Sequence, residues 1–145
     1  HRNLPRFFKQ CAKLLKPGSM MAIQAITIDD QKCRQYVRSV DIIERYIFPG
    51  GCVPSVSRMV QLIADQTDMV VRQIDDFGLD YARTIADWRQ RFQASSPLLE
   101  KLGYDERFQR LWEFYLAYCQ GGFLERSISV VHLVASRPEY GKAGS

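Results

Sequence analysis

Residues able to do chemistry are few and scattered in this chain. The four cysteines, Cys11, Cys33, Cys52 and Cys119, form no C-x-x-C pair, and the two histidines, His1 and His132, stand near opposite ends. No spacing among them resembles a zinc site, and reduced thiols of a cytosolic protein are the default reading. Cys52 follows the Gly50-Gly51 pair, where a nucleophile would need a base, and His132 is the internal histidine available to serve. There is no Gly-x-Gly-x-x-Gly, no phosphate loop and no Gly-x-Ser-x-Gly elbow. Gln24 is the one strongly polar side chain in the run Met20 to Ile28. Period 2 puts Gln24 and Ile26 on one strand face. If that strand is buried, the amide must find hydrogen bonds, as a structural amide or as part of a site. Tyr81, Tyr115 and Tyr118 are in turn either core aromatics with satisfied hydroxyls or site residues.

The elements that must position these groups follow from periodicity. Asn3 and Pro5 open a helix carrying Leu4, Phe7, Phe8, Cys11, Leu14 and Leu15, and Pro17-Gly18 stops it. Met20 to Ile28 is apolar almost throughout, as in a buried strand. Residues 31–47 predict a helix with Arg34, Arg38 and Arg45 on one stripe, and Phe48-Pro49-Gly50-Gly51-Cys52-Val53-Pro54 is a rigid turn. Ser55 caps a helix with Val56, Met59, Val60 and Ile63. A strand follows from Met69 to Phe77, then a helix capped by Asp80 with Ile85, Trp88 and Phe92. A helical turn near Leu98, Leu99 and Leu102 ends at Gly103. Asp105 opens the longest helix, which Gly121-Gly122 ends. Ser127 to Ser136 is a β-branched strand, and residues 138–145 read as a disordered tail. Three strands far apart in sequence must meet in one sheet covered by five to six helices, so the chain by itself reads as α+β.

At 145 residues the chain has the length of one domain. Its 46% hydrophobic and 25% charged residues exclude a disordered or collagen-like chain. No apolar run is long enough for a membrane-spanning helix. The net charge of +4 is uneven: residues 1–60 hold 10 basic and 4 acidic side chains, and residues 61–145 hold 10 and 12. A basic half suits an anionic surface, or is a solvated face. Nucleic-acid binding would rest on the pI of about 9.0 alone and is set aside.

Longer strings carry a resemblance. Tyr46-Ile47-Phe48-Pro49-Gly50-Gly51-Cys52-Val53-Pro54-Ser55 resembles the Y/F-I-F-P-G-G-x-L-P-S segment of cyclopropane-fatty-acyl-phospholipid synthases. Gly78-Leu79-Asp80-Tyr81-Ala82-Arg83-Thr84-Ile85-Ala86-Asp87-Trp88 is similar to their G-x-x-Y-x-x-T-L-x-x-W block. Leu102 to Phe108, with Arg110-Leu111-Trp112, Tyr115-Leu116 and Cys119, matches a third block, and Gly122-Phe123 with Arg126 continues it. The resemblance spans about residues 4–137.

It implies the C-terminal part of a doubly wound α/β, class I methyltransferase fold over residues 1–137, with a helical acyl-pocket region at about 31–66. Such enzymes use S-adenosylmethionine to add a methylene across the cis double bond of a phospholipid acyl chain, with bicarbonate as base. Carried over by position, the bicarbonate cradle falls on Gln24, the Ile26 backbone and the Tyr81 hydroxyl. Well-known members have His where this chain has Gln24, and Gln donates and accepts hydrogen bonds but carries no charge. Gly50, Gly51, Cys52 and Tyr115 would line the acyl pocket, and Arg34, Arg38 and Arg45 would face membrane head groups. The implied setting is cytoplasmic, peripheral to the inner membrane face. The family's Gly-rich adenosylmethionine loop, its Glu string and its more N-terminal Cys have no counterpart here. The segment alone is therefore expected to lack cofactor binding and activity, and its sheet to show a bare edge. A related methyltransferase giving another lipid product, and a non-catalytic lipid- or partner-binding module, are the alternatives.

Overall fold

The computed structural model describes residues 3–32, 45–49, 51 and 53–139. Helix α1 (Leu4–Leu14) leads into strand β1 (Met20–Ile28). Gly18, in the connection, has φ +77, the left-handed region a glycine enters without a Cβ clash. Residues 30–32 and 45–46 are helical, and the rest of the helix expected over 31–47, with Arg34 and Arg38, lies outside the described residues. Helix α2 (Val56–Gln66) and strand β2 (Val70–Asp76) follow, then α3 (Gly78–Ala94), α4 (Ser96–Lys101), α5 (Glu106–Leu124) and strand β3 (Ile128–Ser136).

The strands form one sheet in the order β1-β3-β2, with the last strand inserted between the other two and antiparallel to both. One face buries Val131, Leu133 and Ala135 of β3 against Phe8 and Ala12 of α1 and Met59, Leu62 and Ile63 of α2. On the other face Val130 packs on Ala82 and Ile85 of α3 and on Leu116 and Phe123 of α5. The result is a sheet between two helical layers, the α/β arrangement expected.

The local signals behind these elements are partly those the sequence suggests. Ser55 caps α2 by accepting from the Arg58 N–H at 3.3 Å, and Asp105 caps α5 by accepting from the Phe108 N–H at 2.8 Å. Asp80 is not the cap of α3. The cap position falls on Phe77, whose side chain makes no capping bond; Asp76 before it accepts at Oδ1 from the Gly78 N–H at 2.9 Å and from the Ser129 hydroxyl, while Asp80 lies inside the first turn. Gly121-Gly122 does not end α5, which runs on to Leu124. A glycine pair inside a helix costs about 1 kcal/mol per residue against Ala, which packing offsets. Gly122 sits under the Ile128 side chain, and a Cβ there would come within 3.0 Å of it.

Candidate functional site

Strand β1 departs most from its sequence reading. An apolar run of this kind predicts burial on both sides, yet the exposure of β1 alternates, and within this segment it has β3 as its one strand neighbour, the bare edge expected of the segment by itself. Met20 is 68% and Ile26 42% exposed. Met21, Ile23 and Ala25 pack on the α1–α2 core, while Gln24 and Ile26 share the opposite, open face. Gln24 is exposed in this segment, where no described helix covers that part of the sheet.

The register decides what Gln24 meets. It lies opposite His132 on β3, which in turn lies opposite Asp75 on β2. The Ile28 N–H donates to the Pro54 carbonyl at 3.1 Å, away from β3, while the Asp29 N–H donates to Ser127 of the chain entering β3 at 3.2 Å. Backbone groups of every second residue share a direction, so those of Gln24 and Ile26 also turn to the outer edge. Gln24 and His132 are then a non-hydrogen-bonded antiparallel pair, the kind whose side chains come closest. Their side chains do meet: His132 Nε2 lies 2.9 Å from Gln24 Oε1. The His132 ring rests 4.5 Å, centroid to centroid, from Phe77, whose N–H donates to the Val130 carbonyl at 2.8 Å.

Tyr81 stands one helical turn beyond Phe77, its N–H donating to the Phe77 carbonyl at 2.8 Å. Its ring packs on Phe123 at 5.2 Å and Trp88 at 6.0 Å, on the sheet face that carries Val130. Val130 is the register partner of Ile26. Gln24, Ile26 and Tyr81 thus belong to one side of the sheet. This start of α3 depends on Gly78, where a Cβ would stand 2.3 Å from the Ser129 hydroxyl.

Beside Tyr81 runs an aromatic row that starts at Tyr104 and continues along α5. Tyr104 and Phe108 are 4.6 Å apart, Phe108 and Trp112 5.9 Å, and Trp112 and Tyr115 5.4 Å. Phe48, from the Phe-Pro-Gly-Gly loop, meets Tyr115 edge to face at 5.9 Å. Burial pushes the Tyr115 hydroxyl up to about 12, with Cys119 and Tyr81 nearby acting in the same direction. Gly51 closes the loop by donating its N–H to the Phe48 carbonyl at 2.8 Å, and a Cβ at Gly51 would come within 2.9 Å of that oxygen. Gly50 and Cys52 lie outside the described residues. Arg45 is exposed, its guanidinium 5.3 Å from the Tyr46 ring centre.

Tyr115 and Gly51 are thus joined through Phe48, a residue the sequence reading used only as part of a string. His132 is the larger omission. Its signal was available: it is the one strongly polar side chain in the middle of an apolar strand, as Gln24 is in β1. Only the pairing of β1 with β3 reveals that the two exceptions touch.

Solved structures share this architecture. A mycolic acid cyclopropane synthase in complex with SAH and CTAB superposes with a TM-score of 0.83 at 23% identity, over 94% of this chain and 50% of that one. A putative sarcosine dimethylglycine methyltransferase from Galdieria sulphuraria gives a TM-score of 0.76 at 14% identity. The chain thus has the fold of about half of a class I methyltransferase. Residues 1–133 match the mycolic acid cyclopropane synthetase family, and the chain belongs to it. It is 37% identical over 123 residues to the tuberculostearic acid methyltransferase of Mycobacterium tuberculosis, covering 85% of this chain and 29% of that protein. It is 34% identical over 136 residues to the cyclopropane-fatty-acyl-phospholipid synthase of Escherichia coli K12, covering 94% of this chain and 34% of that protein. The chain therefore spans about a third of the length of these curated relatives.

Proposed function

We propose that this chain is the acyl-pocket and anion-holding part of an S-adenosylmethionine-dependent lipid methyltransferase. The enzyme would act on the double bond of a phospholipid acyl chain and form a cyclopropane. The observation that carries the reading is the gathering of Gln24, Ile26 and Tyr81 on one side of the sheet, beside an aromatic row. Adenosylmethionine, when bound, supplies an electrophilic methyl, and a bicarbonate supplies a base. The donor set fits an oxyanion: the Gln24 carbonyl is engaged by His132, which leaves the amide NH2 to donate. The outward Ile26 N–H and the Tyr81 hydroxyl would be further donors. Phe48, Trp112 and Tyr115 would keep water from the cationic carbon that forms when an alkene takes up a methyl group.

Arg34, Arg38 and Arg45 would face anionic head groups, each adding about 1 kcal/mol near the membrane surface. Peripheral association suits the described residues, none of whose helices is long and apolar enough to cross a membrane. Likeness to a tuberculostearic acid methyltransferase favours a second reading, a methyl-branched product. Expressing the full-length protein in a host without such lipids, followed by fatty-acid mass spectrometry, separates them. A cyclopropane chain supports the first reading and a methyl-branched chain the second. Unaltered lipids exclude both and leave a non-catalytic binding module.

A further inference from the structure

A glutamine side chain on an open sheet face can point its amide in two ways. One presents two N–H donors outward and the other presents a carbonyl oxygen. An oxyanion is attracted by the first and repelled by the second. In this chain the choice is made by a neighbour on another strand. His132 Nε2 lies 2.9 Å from Gln24 Oε1, and an imidazole N–H donating there holds the carbonyl and turns the NH2 outward.

The imidazole is itself braced. Its ring lies 4.5 Å from that of Phe77, on the backbone that leads into α3, and its strand is the central one of the sheet. Asp75, opposite on β2, accepts from the Gln73 side chain at 2.6 Å. Among the described residues, the Gln24 amide is the one side chain that hydrogen-bonds the imidazole. An imidazolium also carries an N–H at Nε2, so the hold survives protonation.

We propose that His132 is a positioning residue for an oxyanion at Gln24, fixing the carboxamide with its NH2 toward the ligand. The inference rests on the proposed reading of Gln24 as an oxyanion ligand. It accounts for a neutral amide serving at that position: orientation by a second strand stands in for charge.

The test is bicarbonate binding to the full-length protein by titration calorimetry, with adenosylmethionine affinity measured alongside. His132→Ala should weaken bicarbonate about tenfold, the loss that one hydrogen-bonded orientation implies, and leave adenosylmethionine unchanged. His132→Gln, whose amide nitrogen reaches the place of Nε2, should recover most of the affinity. It also serves as the informative variant if the alanine form does not fold. With Gln24→Leu in place, His132→Ala should cost nothing more, since the two residues act as one unit. Wild-type protein that binds no bicarbonate, unchanged binding in His132→Ala, or additive losses would each overturn the proposal. Lipid products of the wild type, measured separately, judge the enzymatic reading: a protein that binds bicarbonate through the pair yet alters no lipid keeps this inference and rejects that reading.

Discussion

Tyr115 offers a measurable signature at the level of single side chains. Its hydroxyl is pushed up to about 12, first by burial and then by Cys119 and Tyr81. In the unfolded chain a tyrosine loses its proton near pH 10. Between these values the unfolded state binds fewer protons than the folded one, so stability falls as pH rises from about 10 to 12. A spectrophotometric titration of the folded protein should contain a late tyrosine step that is absent in Tyr115→Phe. A late step that persists in the variant would assign the shift elsewhere. Asp30 behaves oppositely. Hydrogen bonding from Ser55, with a smaller part from Ser57, holds its carboxyl below the usual range. Its contribution is present above the ordinary carboxylate value and lost as pH falls through the lowered one. At Tyr81, removal of the hydroxyl in Tyr81→Phe should spare folding, because the ring packing on Phe123 and Trp88 remains. It should lower product formation about tenfold or more if the hydroxyl holds the anion. Equal product yield in the full-length enzyme would remove Tyr81 from the site.

The connections between elements, more than the elements, set the site. The start of α3 rests on Gly78, Asp76 and Ser129 together: Asp76 accepts from the other two, and Gly78 leaves room for the serine hydroxyl. Gly78→Ala should destabilise by about 1–3 kcal/mol through overpacking. Ser129→Ala in the same chain should return part of that loss, as urea unfolding would show. A purely helical-propensity effect would instead make Gly78→Ala stabilising. At the other connection, Ser55→Ala should cost about 1 kcal/mol by removing the cap of α2. Both glycine positions that matter, Gly78 and Gly51, owe their identity to close approach, not to a left-handed backbone. The start of α3 falls earlier than Asp80 suggests, at Gly78. Asp80 has the right type and a plausible offset, but the Gly78 N–H finds Asp76 first.

On the scale of the whole molecule, two cores lie on opposite sides of one three-stranded sheet. Arg137 ties the larger one shut, donating from Nη1 to the Leu15 carbonyl at 2.6 Å at the end of α1 and from Nε to Asp68 at 3.3 Å before β2. A cation at a helix C-terminus is also favourable to the helix dipole. Leu133 is fully buried at the centre of β3, so its truncation would leave a cavity. Leu133→Ala should cost about 2–5 kcal/mol by denaturant unfolding, with a loss below 1 kcal/mol arguing against this packing. Tyr81 and Tyr115 border the second core, which would form a wall of the proposed site.

Order and type of the elements were legible in the sequence because hydrophobic periodicity and turn residues are local. The family was legible because the strings from Tyr46 to Ser55 and from Gly78 to Trp88 are contiguous. That Gln24 and Ile26 share a face also followed from period 2 alone. The sequence could not say that β1 pairs with β3 and not with β2, since apolar composition does not name a strand's neighbour. Nor could it join Gln24 to His132, or Phe48 to Tyr115, because those contacts depend on strand register and on how a loop meets a helix. Local chemistry determined which residues were candidates; the insertion of β3 between β1 and β2 decided that Gln24 and His132 come into contact.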